Sequence, residues 1–542
     1  MRVSVCTVIA ELLLAASGAH AMAMGGSLSI PEIGLDGDYE VVEESAVLAK
    51  RGAPAIIAAT FDQLIDHTNP SLGTFKQRYW VNPEFWAGPG SPIVLNAPTE
   101  AASDGYLGYT TNRTLPGEFA QRIGGATVLL EHRYWGDSSP YDNLTTTNLQ
   151  QLNLPNSIAD LTYFAKNVRF AFDLNGTSTP DKAAWVLSGC SYPGALTAFV
   201  HNLAPGTFWA YHASSAVVQS VDNLAGYWDT IEAAMPRNCS TDVKNAIRYI
   251  DNIMINGTAE RQQHLKERFG YGGVKSKEDF VASLVSPYWT WQSQQFYSNY
   301  SGLNTFCDYV ENRWPGSESP QPGEEGVGTC KAIKGMAKYY REIGASKSCA
   351  TKDCVDSHNP DKSTYTNTTV RNTTQRQWQW MLCNVPFKFR FGHNPNGKDQ
   401  IISTLLTEKY YNDRCPLYFP REGDNTYGIA KGLTAADVNR YTGGWDNVDT
   451  TRLMWANGEL DPWRPATVSS LERPGGVLES TEQHPVRLIP KAAHCNDLIR
   501  KNALANEGVF KVYFEEAENM QKWVKEFYEE KGIQRSFTYP SN

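Results

Sequence analysis

The chain has 542 residues, of which 41% are hydrophobic and 20% are charged, a balance typical of a folded globular protein rather than a disordered one. Its formal net charge of −9 at pH 7 argues against nucleic acid as a partner. The length suits one large domain with a big insertion, or two to three domains.

Residues 1–21 have the pattern of a secretory signal peptide. Arg2 supplies the positive start, residues 8–16 form a short apolar core that Glu11 interrupts, and residues 19–21 offer small side chains for cleavage. No later stretch approaches the roughly 18 apolar residues that cross a bilayer. We therefore expect no membrane span and a location outside the cell or in the lysosomal or vacuolar lumen.

Triplets of the Asn-x-Ser/Thr type support a secretory route, because glycans are added to such asparagines in secreted proteins. Eight of them follow the signal segment, and we predict glycosylation at each. They are Asn112, Asn143, Asn175, Asn238, Asn256, Asn299, Asn367 and Asn372.

The cysteines indicate an oxidising compartment. Cys6 lies in the signal segment, which leaves nine, so at least one thiol is free or bonded to another molecule. Seven of the nine lie between residues 239 and 415, which predicts a central region held by disulfides. Cys190 lies outside that region and is our candidate for the free thiol, buried beneath a turn. Cys-x-x-Cys spacing, a His-Glu-x-x-His run and a Gly-rich phosphate loop are all missing, so we expect no metal and no cofactor.

The first half of the chain reads as an α/β domain. Residues 22–55 are predicted to be a propeptide or an N-terminal arm. Between residues 56 and 219, short apolar runs such as 93–95 and 127–130 alternate with helical spacing, as over 154–168. This alternation is the mark of an α/β sheet.

The pattern changes in the second half. From residue 220 to 445 helix-favouring stretches dominate, which predicts a mostly helical cap inserted into the α/β domain. Strand signals return at 451–455 and 486–489, followed by an amphipathic helix from about Val509 to Lys531. Residues 446–542 are therefore predicted to complete the α/β domain.

The most informative stretch is residues 189–194, Gly-Cys-Ser-Tyr-Pro-Gly. It separates an apolar run from a helix-compatible run, so Ser191 lies on a tight turn above a helix N-terminus. The N–H of Tyr192 could then stabilise an oxyanion. The strict pattern for such a turn has glycine where Pro193 stands, so a purely structural turn is the alternative. We favour a hydrolase with a serine nucleophile.

A serine nucleophile needs a base, and the base needs a carboxylate that orients it. Asp461 and His494 each follow a predicted strand, in the order Ser, Asp, His of α/β hydrolases. Strand ends are also where the active site of an open α/β sheet lies. Glu459 and Asp497 are rival carboxylates, and His484 is a rival base although it precedes its strand.

Several segments together resemble the serine peptidase family of lysosomal Pro-X carboxypeptidase, dipeptidyl peptidase II and fungal acid prolyl endopeptidase. The resemblance spans roughly residues 60–500, in the family's order. The matching segments are 61–67 (FDQLIDH), 74–80 (TFKQRYW), 131–136 (EHRYWG), 189–194 (GCSYPG), 457–463 (NGELDPW) and 493–494 (AH).

The resemblance implies an α/β-hydrolase fold with a large, mostly helical cap. It implies Ser191 as nucleophile, Asp461 as orienting carboxylate, His494 as general base and the Tyr192 N–H in the oxyanion hole. It also implies peptide or protein substrates and cleavage after proline, with Trp463 as an aromatic wall of the proline pocket, since a flat ring suits a pyrrolidine.

The chain departs from the family in two places. The family has a Gly-Gly-Glu type run after its first sheet strand, where this chain has residues 97–100, Ala-Pro-Thr-Glu. Glu100 keeps the carboxyl and is predicted to bind substrate, but Pro98 has no N–H to donate. At the serine turn, Cys190 stands where the family commonly has glycine before the serine, and Pro193 stands where it commonly has glycine after Tyr192. An esterase or lipase on the same fold and a non-catalytic secreted binding protein are the alternatives, and exopeptidase and endopeptidase action both stay open.

Overall fold

A nine-stranded, mostly parallel sheet runs through the centre of the molecule. The computed structural model describes residues 30–35, 39–44, 55–298, 300–344, 355–357, 363–371, 375–384, 392–394, 396 and 399–535. The predicted signal segment, residues 1–21, lies outside the described residues. The strands are β1 (Glu40–Glu43), β2 (Ala55–Leu64), β3 (Thr74–Asn82), β4 (Ile93–Asn96), β5 (Ala126–Leu130), β6 (Trp185–Cys190), β7 (Ala210–Ser214), β8 (Leu453–Gly458) and β9 (Val486–Ile489).

The strand order is β1-β2-β3-β5-β4-β6-β7-β8-β9. β3 pairs antiparallel with β2 and β5, while the pairs from β5 through β9 are parallel. The inner strands β4 to β8 are buried along their length, as expected for apolar runs covered on both faces. Together with the serine turn that follows β6, this topology is the α/β-hydrolase fold, and the predicted fold class is confirmed.

Helices cover both faces of the sheet. In chain order, those of the α/β part are α1 (Leu115–Ile123), α2 (Leu154–Asn167), α3 (Tyr192–Leu203), and, after the last strand, α15 (Arg500–Ala505) and α16 (Glu507–Glu530). The apolar sides of α2 and α3 pack in one core cluster, and those of α1, α15 and α16 pack in a second cluster. The long terminal helix predicted from about Val509 to Lys531 is confirmed as α16.

Between β7 and β8 the described chain is helical. Its helices are α4 (Gly226–Ala234), α5 (Arg237–Asn256), α6 (Ala259–Phe269), α7 (Lys277–Ser283), α8 (Gly302–Val310), α9 (Thr329–Tyr339), α10 (Ser363–Thr366), α11 (Arg376–Asn384), α12 (Glu408–Asn412), α13 (Cys415–Tyr418) and α14 (Ala435–Thr442). Disulfides Cys239–Cys307 and Cys383–Cys415 join α5 to α8 and α11 to α13. The cap boundaries at residues 220 and 445 stay a prediction.

Short 3₁₀ and π segments connect these elements. The 3₁₀ turns are Pro70–Leu72, Ser103–Thr110, Asn148–Gln151, Tyr288–Trp291, Ile429–Lys431, Gly444–Asp446, Arg464–Ala466 and Asn496–Leu498, and a π turn covers Tyr340–Gly344. Among the described residues, no helix combines the length and the apolar character that crossing a membrane requires.

Part of the predicted N-terminal arm belongs to the sheet. Glu40–Glu43 form β1, which pairs in parallel with β2. Further upstream, Ile30 is buried, and the carbonyl of Pro31 accepts a hydrogen bond from the Tyr109 hydroxyl at 2.9 Å. No clear strand signal marks β1 in the sequence, because its side chains are mostly exposed and an edge strand has little apolar surface to bury.

Candidate active site

Ser191 lies at the junction between β6 and α3, as the strand, turn and helix pattern predicted. Its backbone has φ 68° and ψ −128°, a left-handed φ that is strained for a residue with a side chain. Such strain is typical of the turn that presents a nucleophile above an α/β sheet. A Cβ on Gly189 would collide with the backbone of Pro193, so glycine is required there for the helix to approach the strand.

His494 and Asp461 form a buried pair. The Nδ1 atom of His494 lies 2.9 Å and 3.0 Å from the two carboxylate oxygens of Asp461. Both side chains are almost completely buried, so water competes little with this contact. Within the part of the chain that the structure describes, Nε2 of His494 has no hydrogen-bond partner. A ring held at Nδ1 with an unused Nε2 is the arrangement of a general base.

The rival residues have other partners. Glu459 is exposed, and its Oε2 accepts a hydrogen bond from the N–H of Lys491 at 2.9 Å. Asp497 accepts from the Ser214 hydroxyl at 2.7 Å. Nδ1 of His484 lies 3.1 Å from the carbonyl oxygen of Thr450. His484 precedes β9 in the sequence, whereas His494 follows it. Geometry therefore favours Asp461 over the other two carboxylates as the partner of His494.

A disulfide between Cys190 and Cys495 lies directly beneath the site. The prediction that Cys190 carries the free thiol is therefore wrong, although its burial beneath the turn is correct. The two cysteines are 305 residues apart, and no pattern in the sequence shows that the fold brings them together. Among the described residues, the free cysteine is Cys330, which is exposed near the start of α9.

Tyr192 is the first residue of α3. Its N–H therefore lies in the first helical turn, where backbone N–H groups have no acceptor within the helix and the helix dipole is positive. The phenol oxygen is 2.8 Å from Nε2 of His132, which fixes the ring. Burial lowers the pKa of His132 to about 4, so this imidazole is neutral above that pH.

Trp463 is fully buried beside the His494–Asp461 pair. Its backbone N–H donates to Oδ1 of Asp461 at 2.9 Å, and its ring centre lies 6.4 Å from that of His494. Its indole N–H donates to Oε1 of Gln292 at 3.0 Å, and the Tyr227 hydroxyl donates to the same oxygen at 3.0 Å. The helical segment thus supplies contacts that hold the Trp463 indole.

Sequence reasoning missed Gln292 and Tyr227. They lie in the helical segment, 171 and 236 residues before Trp463, and no local motif marks them. Tyr227 meets the Trp463 ring edge to face, with centres 5.3 Å apart. Aromatic contacts of this kind favour a fixed ring orientation.

Glu100 lies in the loop after β4 and is only 2% exposed. Burial raises the pKa of its carboxyl to about 7, against smaller lowering effects that include its own backbone N–H, the Thr99 hydroxyl and His494. Oε2 accepts a hydrogen bond from the Thr99 hydroxyl at 3.3 Å, whereas Oε1 has no hydrogen-bond partner among the residues that the structure places. A buried carboxyl of this kind is protonated at acidic pH.

The other motif segments build the frame of the site. The Arg133 guanidinium donates from Nε to the Asp160 carboxylate at 2.7 Å, and Arg78 donates from its own Nε to Glu131 at 2.8 Å. Gln77 donates to the backbone carbonyl of Glu131 at 2.8 Å. The two arginine–carboxylate pairs are buried or half-buried, and together with Gln77 they orient the segment that carries His132.

Among the described residues, two groups of buried side chains have metal-ligand chemistry. The first is His494 with Cys190 and Cys495, whose sulfurs are bonded to each other and so do not act as thiolate ligands. The second is His212, whose Nε2 lies 3.5 Å from Asp497 and 3.4 Å from Glu516. We interpret this second group as a buried ion cluster, because the protonated imidazole of His212 offsets negative charge on the carboxyl groups that face it.

The predicted glycosylation sites differ in exposure. Asn143, Asn175 and Asn256 are exposed, and Asn112 and Asn367 are half-buried. Asn238 is buried in the first turn of α5, beside the Cys239–Cys307 disulfide. Asn299 and Asn372 lie outside the described residues.

The comparison with protein families gives one match over most of the chain. Residues 63–511 match the family described as Serine carboxypeptidase S28. The matched stretch contains every residue predicted for the candidate active site, from Glu100 to His494.

Relatives match over nearly the whole length. The chain is 36% identical over 501 residues to "Serine protease vicPb" of Bipolaris victoriae, covering 90% of this chain and 92% of that protein. It is 36% identical over 505 residues to "Serine protease vicPa" of the same fungus, covering 91% and 92%. It is 27% identical over 481 residues to "Probable extracellular serine carboxypeptidase" of Arthroderma benhamiae, covering 83% and 64%.

Proposed function

The chain belongs to the serine carboxypeptidase S28 family of serine-type peptidases, and from this premise we propose that it cleaves peptide bonds after proline through an acyl-enzyme on Ser191. The observation that carries the proposal is the buried pair of Asp461 and His494, in which Nε2 of His494 is unused. The loop that carries His494 is joined by the disulfide to the serine turn. These three residues supply the nucleophile, the base and the orienting anion that acyl transfer needs.

In the first half of the reaction, the Ser191 hydroxyl attacks the scissile carbonyl carbon while Nε2 of His494 takes its proton. The Asp461 carboxylate stabilises the imidazolium at Nδ1. The N–H of Tyr192 donates to the oxyanion, aided by the positive end of α3. The tetrahedral intermediate collapses, the C–N bond breaks, and His494 returns the proton to the leaving amine.

In the second half, water attacks the ester on Ser191. His494 takes the proton of that water and delivers it to the Ser191 oxygen as the acid product leaves. The enzyme returns to its starting state without a cofactor.

Selection of proline is assigned to the wall formed by Trp463. A pyrrolidine ring packs well against a flat aromatic face, and the contacts of this indole with Gln292 and Tyr227 hold it in one orientation. Glu100 is assigned to substrate binding. At acidic pH its carboxyl is neutral, so it can donate a hydrogen bond to a carbonyl of the peptide.

We also propose that the protein acts outside the cytosol. The signal pattern of residues 1–21, the exposed Asn-x-Ser/Thr sites and the disulfides all fit an oxidising secretory compartment.

The test is cleavage profiling of a mixed peptide pool by mass spectrometry at about pH 4.5, where His494 must still act as a base. The matched control is Ser191→Ala, which keeps the fold and removes the nucleophile. We expect cuts after proline that disappear in the variant, and their distance from the peptide ends separates exopeptidase from endopeptidase action. Serine-dependent cuts after other residues would overturn the proline assignment, and equal cleavage by both proteins would overturn the mechanism.

A further inference from the structure

The loop that carries His494 must reach across the sheet to meet Ser191. Ser191 follows β6, whereas His494 follows β9, and β7 and β8 lie between these strands. At about 4.8 Å between neighbouring strands, the two strand ends are roughly 14 Å apart. Hydrogen bonds anchor the loop to the strands it crosses: the Cys495 N–H donates to the Ser215 hydroxyl after β7 at 3.1 Å, and the Leu460 N–H donates to the Ala492 carbonyl at 2.9 Å.

The Cys190–Cys495 disulfide adds a covalent link to the serine turn itself. It joins the residue before Ser191 to the residue after His494. Each cysteine is within one residue of a reacting side chain, so movement of the loop away from the turn is limited to the length of the bridge.

The backbone at the far end of the bridge is strained. Cys495 has φ 57° and ψ 26°, a left-handed conformation that favours glycine. A cysteine therefore occupies this position despite a backbone cost, which indicates that its side chain has a role there. Both cysteines are buried, Cys190 beside apolar side chains that include Tyr106 and Leu498. Burial keeps external thiols away from the sulfurs.

We propose that the Cys190–Cys495 disulfide is a positioning element of the active site, which holds His494 in reach of Ser191 and thereby sets the turnover rate. This inference rests on the proposed function, since it assigns the bridge a role through those two residues. A reacting pair displaced by about 1 Å can lose about 100-fold in rate, so a modest relaxation of the loop has a large effect.

The test compares two double variants that each lose one disulfide. Cys190→Ala with Cys495→Ala removes the bridge at the site, and Cys239→Ala with Cys307→Ala removes a bridge in the helical segment. Both are assayed on a Pro-containing peptide, well below their melting temperatures. We expect kcat to fall about 10- to 100-fold in the first variant with KM within about twofold, and kcat to stay within about twofold in the second.

A second variant serves if the first does not fold. Cys190→Ala with Cys495→Gly also lacks the bridge, but glycine adopts the positive φ at residue 495 without cost and so supports the native loop. It should show the same loss of kcat. A kcat within about twofold of the wild-type value in either folded variant would overturn the proposal.

A separate measurement distinguishes failure of the positioning role from failure of the proposed function. The rate at which an organophosphonate modifies Ser191 is measured in the wild type and in the bridge variant. We expect modification at Ser191 in both, with the variant slower by the same factor as its kcat. Equal rates would overturn the positioning role alone. A wild type that is active yet unmodified at Ser191 would overturn the proposed function, and the positioning role with it.

Discussion

Nδ1 of His494 lies within 3.0 Å of both carboxylate oxygens of Asp461, in a place where both side chains are almost fully buried. This contact fixes which ring nitrogen carries the hydrogen and leaves Nε2 for the substrate reaction. Because Asp461 also accepts the N–H of Trp463, one carboxylate links the base to the proposed proline wall.

Asp461→Asn tests the role of this contact. The amide keeps the shape but no longer stabilises an imidazolium, so we expect kcat to fall about 10³- to 10⁴-fold with little change in KM. Steady-state kinetics with a chromogenic Pro-containing peptide measure both constants. Glu459→Gln is the matched control, because Glu459 is an exposed carboxylate on the same loop, and its kcat should stay within about twofold. Equal losses in the two variants would contradict the assignment.

The raised pKa of the Glu100 carboxyl predicts how kcat/KM depends on pH. Burial raises the pKa of its carboxyl to about 7, so the neutral form that donates to substrate is lost as the pH rises through that value. Glu100→Gln keeps a neutral donor at every pH. We therefore expect kcat/KM of the wild type to fall above about pH 7 and kcat/KM of Glu100→Gln to fall much less. Glu100→Ala, which has no donor, should show a low kcat/KM at every pH. Identical profiles for the wild type and Glu100→Gln would rule out this role.

The buried cluster of His212, Asp497 and Glu516 predicts greater stability in acid. Burial raises the pKa of Glu516 from 4.5 to about 7. Its contribution to the free energy of unfolding is therefore fully present below about pH 4.5 and is lost as the pH rises through 7. Burial alone would lower the pKa of His212, but Glu516 and Asp497 outweigh it and raise that pKa to about 9. The contribution of His212 to the free energy of unfolding is therefore fully present below about pH 6.5 and is lost as the pH rises through 9.

His132 acts in the opposite direction. Burial lowers the pKa of His132 from 6.5 to about 4. Its contribution to the free energy of unfolding is therefore fully present above about pH 6.5 and is lost as the pH falls through 4. Glu100, whose pKa burial raises to about 7, acts in the same direction as Glu516. Because Glu516, His212 and Glu100 together outweigh His132, we expect the melting temperature to be highest near pH 5 and to drop by several degrees by pH 8. Glu516→Gln should flatten this drop, and Glu515→Gln, its half-exposed neighbour, should not. A melting temperature that rises from pH 5 to 8 would contradict the prediction.

Glycan occupancy follows side-chain exposure. We expect Asn143, Asn175 and Asn256 to carry glycans in protein secreted from a eukaryotic host, because their side chains reach solvent. Asn238 is buried within α5, so a glycan there would prevent the native packing. Enzymatic deglycosylation in heavy-oxygen water followed by peptide mapping reads each site. Full occupancy at Asn238 in active protein would contradict the described packing.

Much of the α/β part could be predicted from sequence. Buried strands such as β5 and β6 contain short apolar runs, Val128–Leu130 and Trp185–Leu187. The turn at Ser191 has a short-range pattern that is typical of one backbone geometry. The order of Ser191, Asp461 and His494 along the chain reduced the number of candidate catalytic residues. Each follows a strand, and the carboxyl ends of parallel strands meet at one edge of the sheet.

The rest depends on contacts that sequence does not display. The Cys190–Cys495 bridge closes 305 residues, and Gln292 reaches Trp463 from the helical segment, so neither shows a local signal. β1 was missed because an edge strand lacks the apolar alternation of a buried one. Long-range pairs of this kind are set by the fold as a whole rather than by neighbouring residues.

The most direct test of the account is active-site labelling followed by peptide mapping. The purified protein is treated with an organophosphonate, its residual peptidase activity is followed, and the modified residue is identified by mass spectrometry. We predict one label per inactivated molecule on the peptide that carries Ser191, and no label on that peptide in Ser191→Ala. Loss of activity with the label on another residue, or a Ser191→Ala variant that retains full peptidase activity, would contradict the central claim.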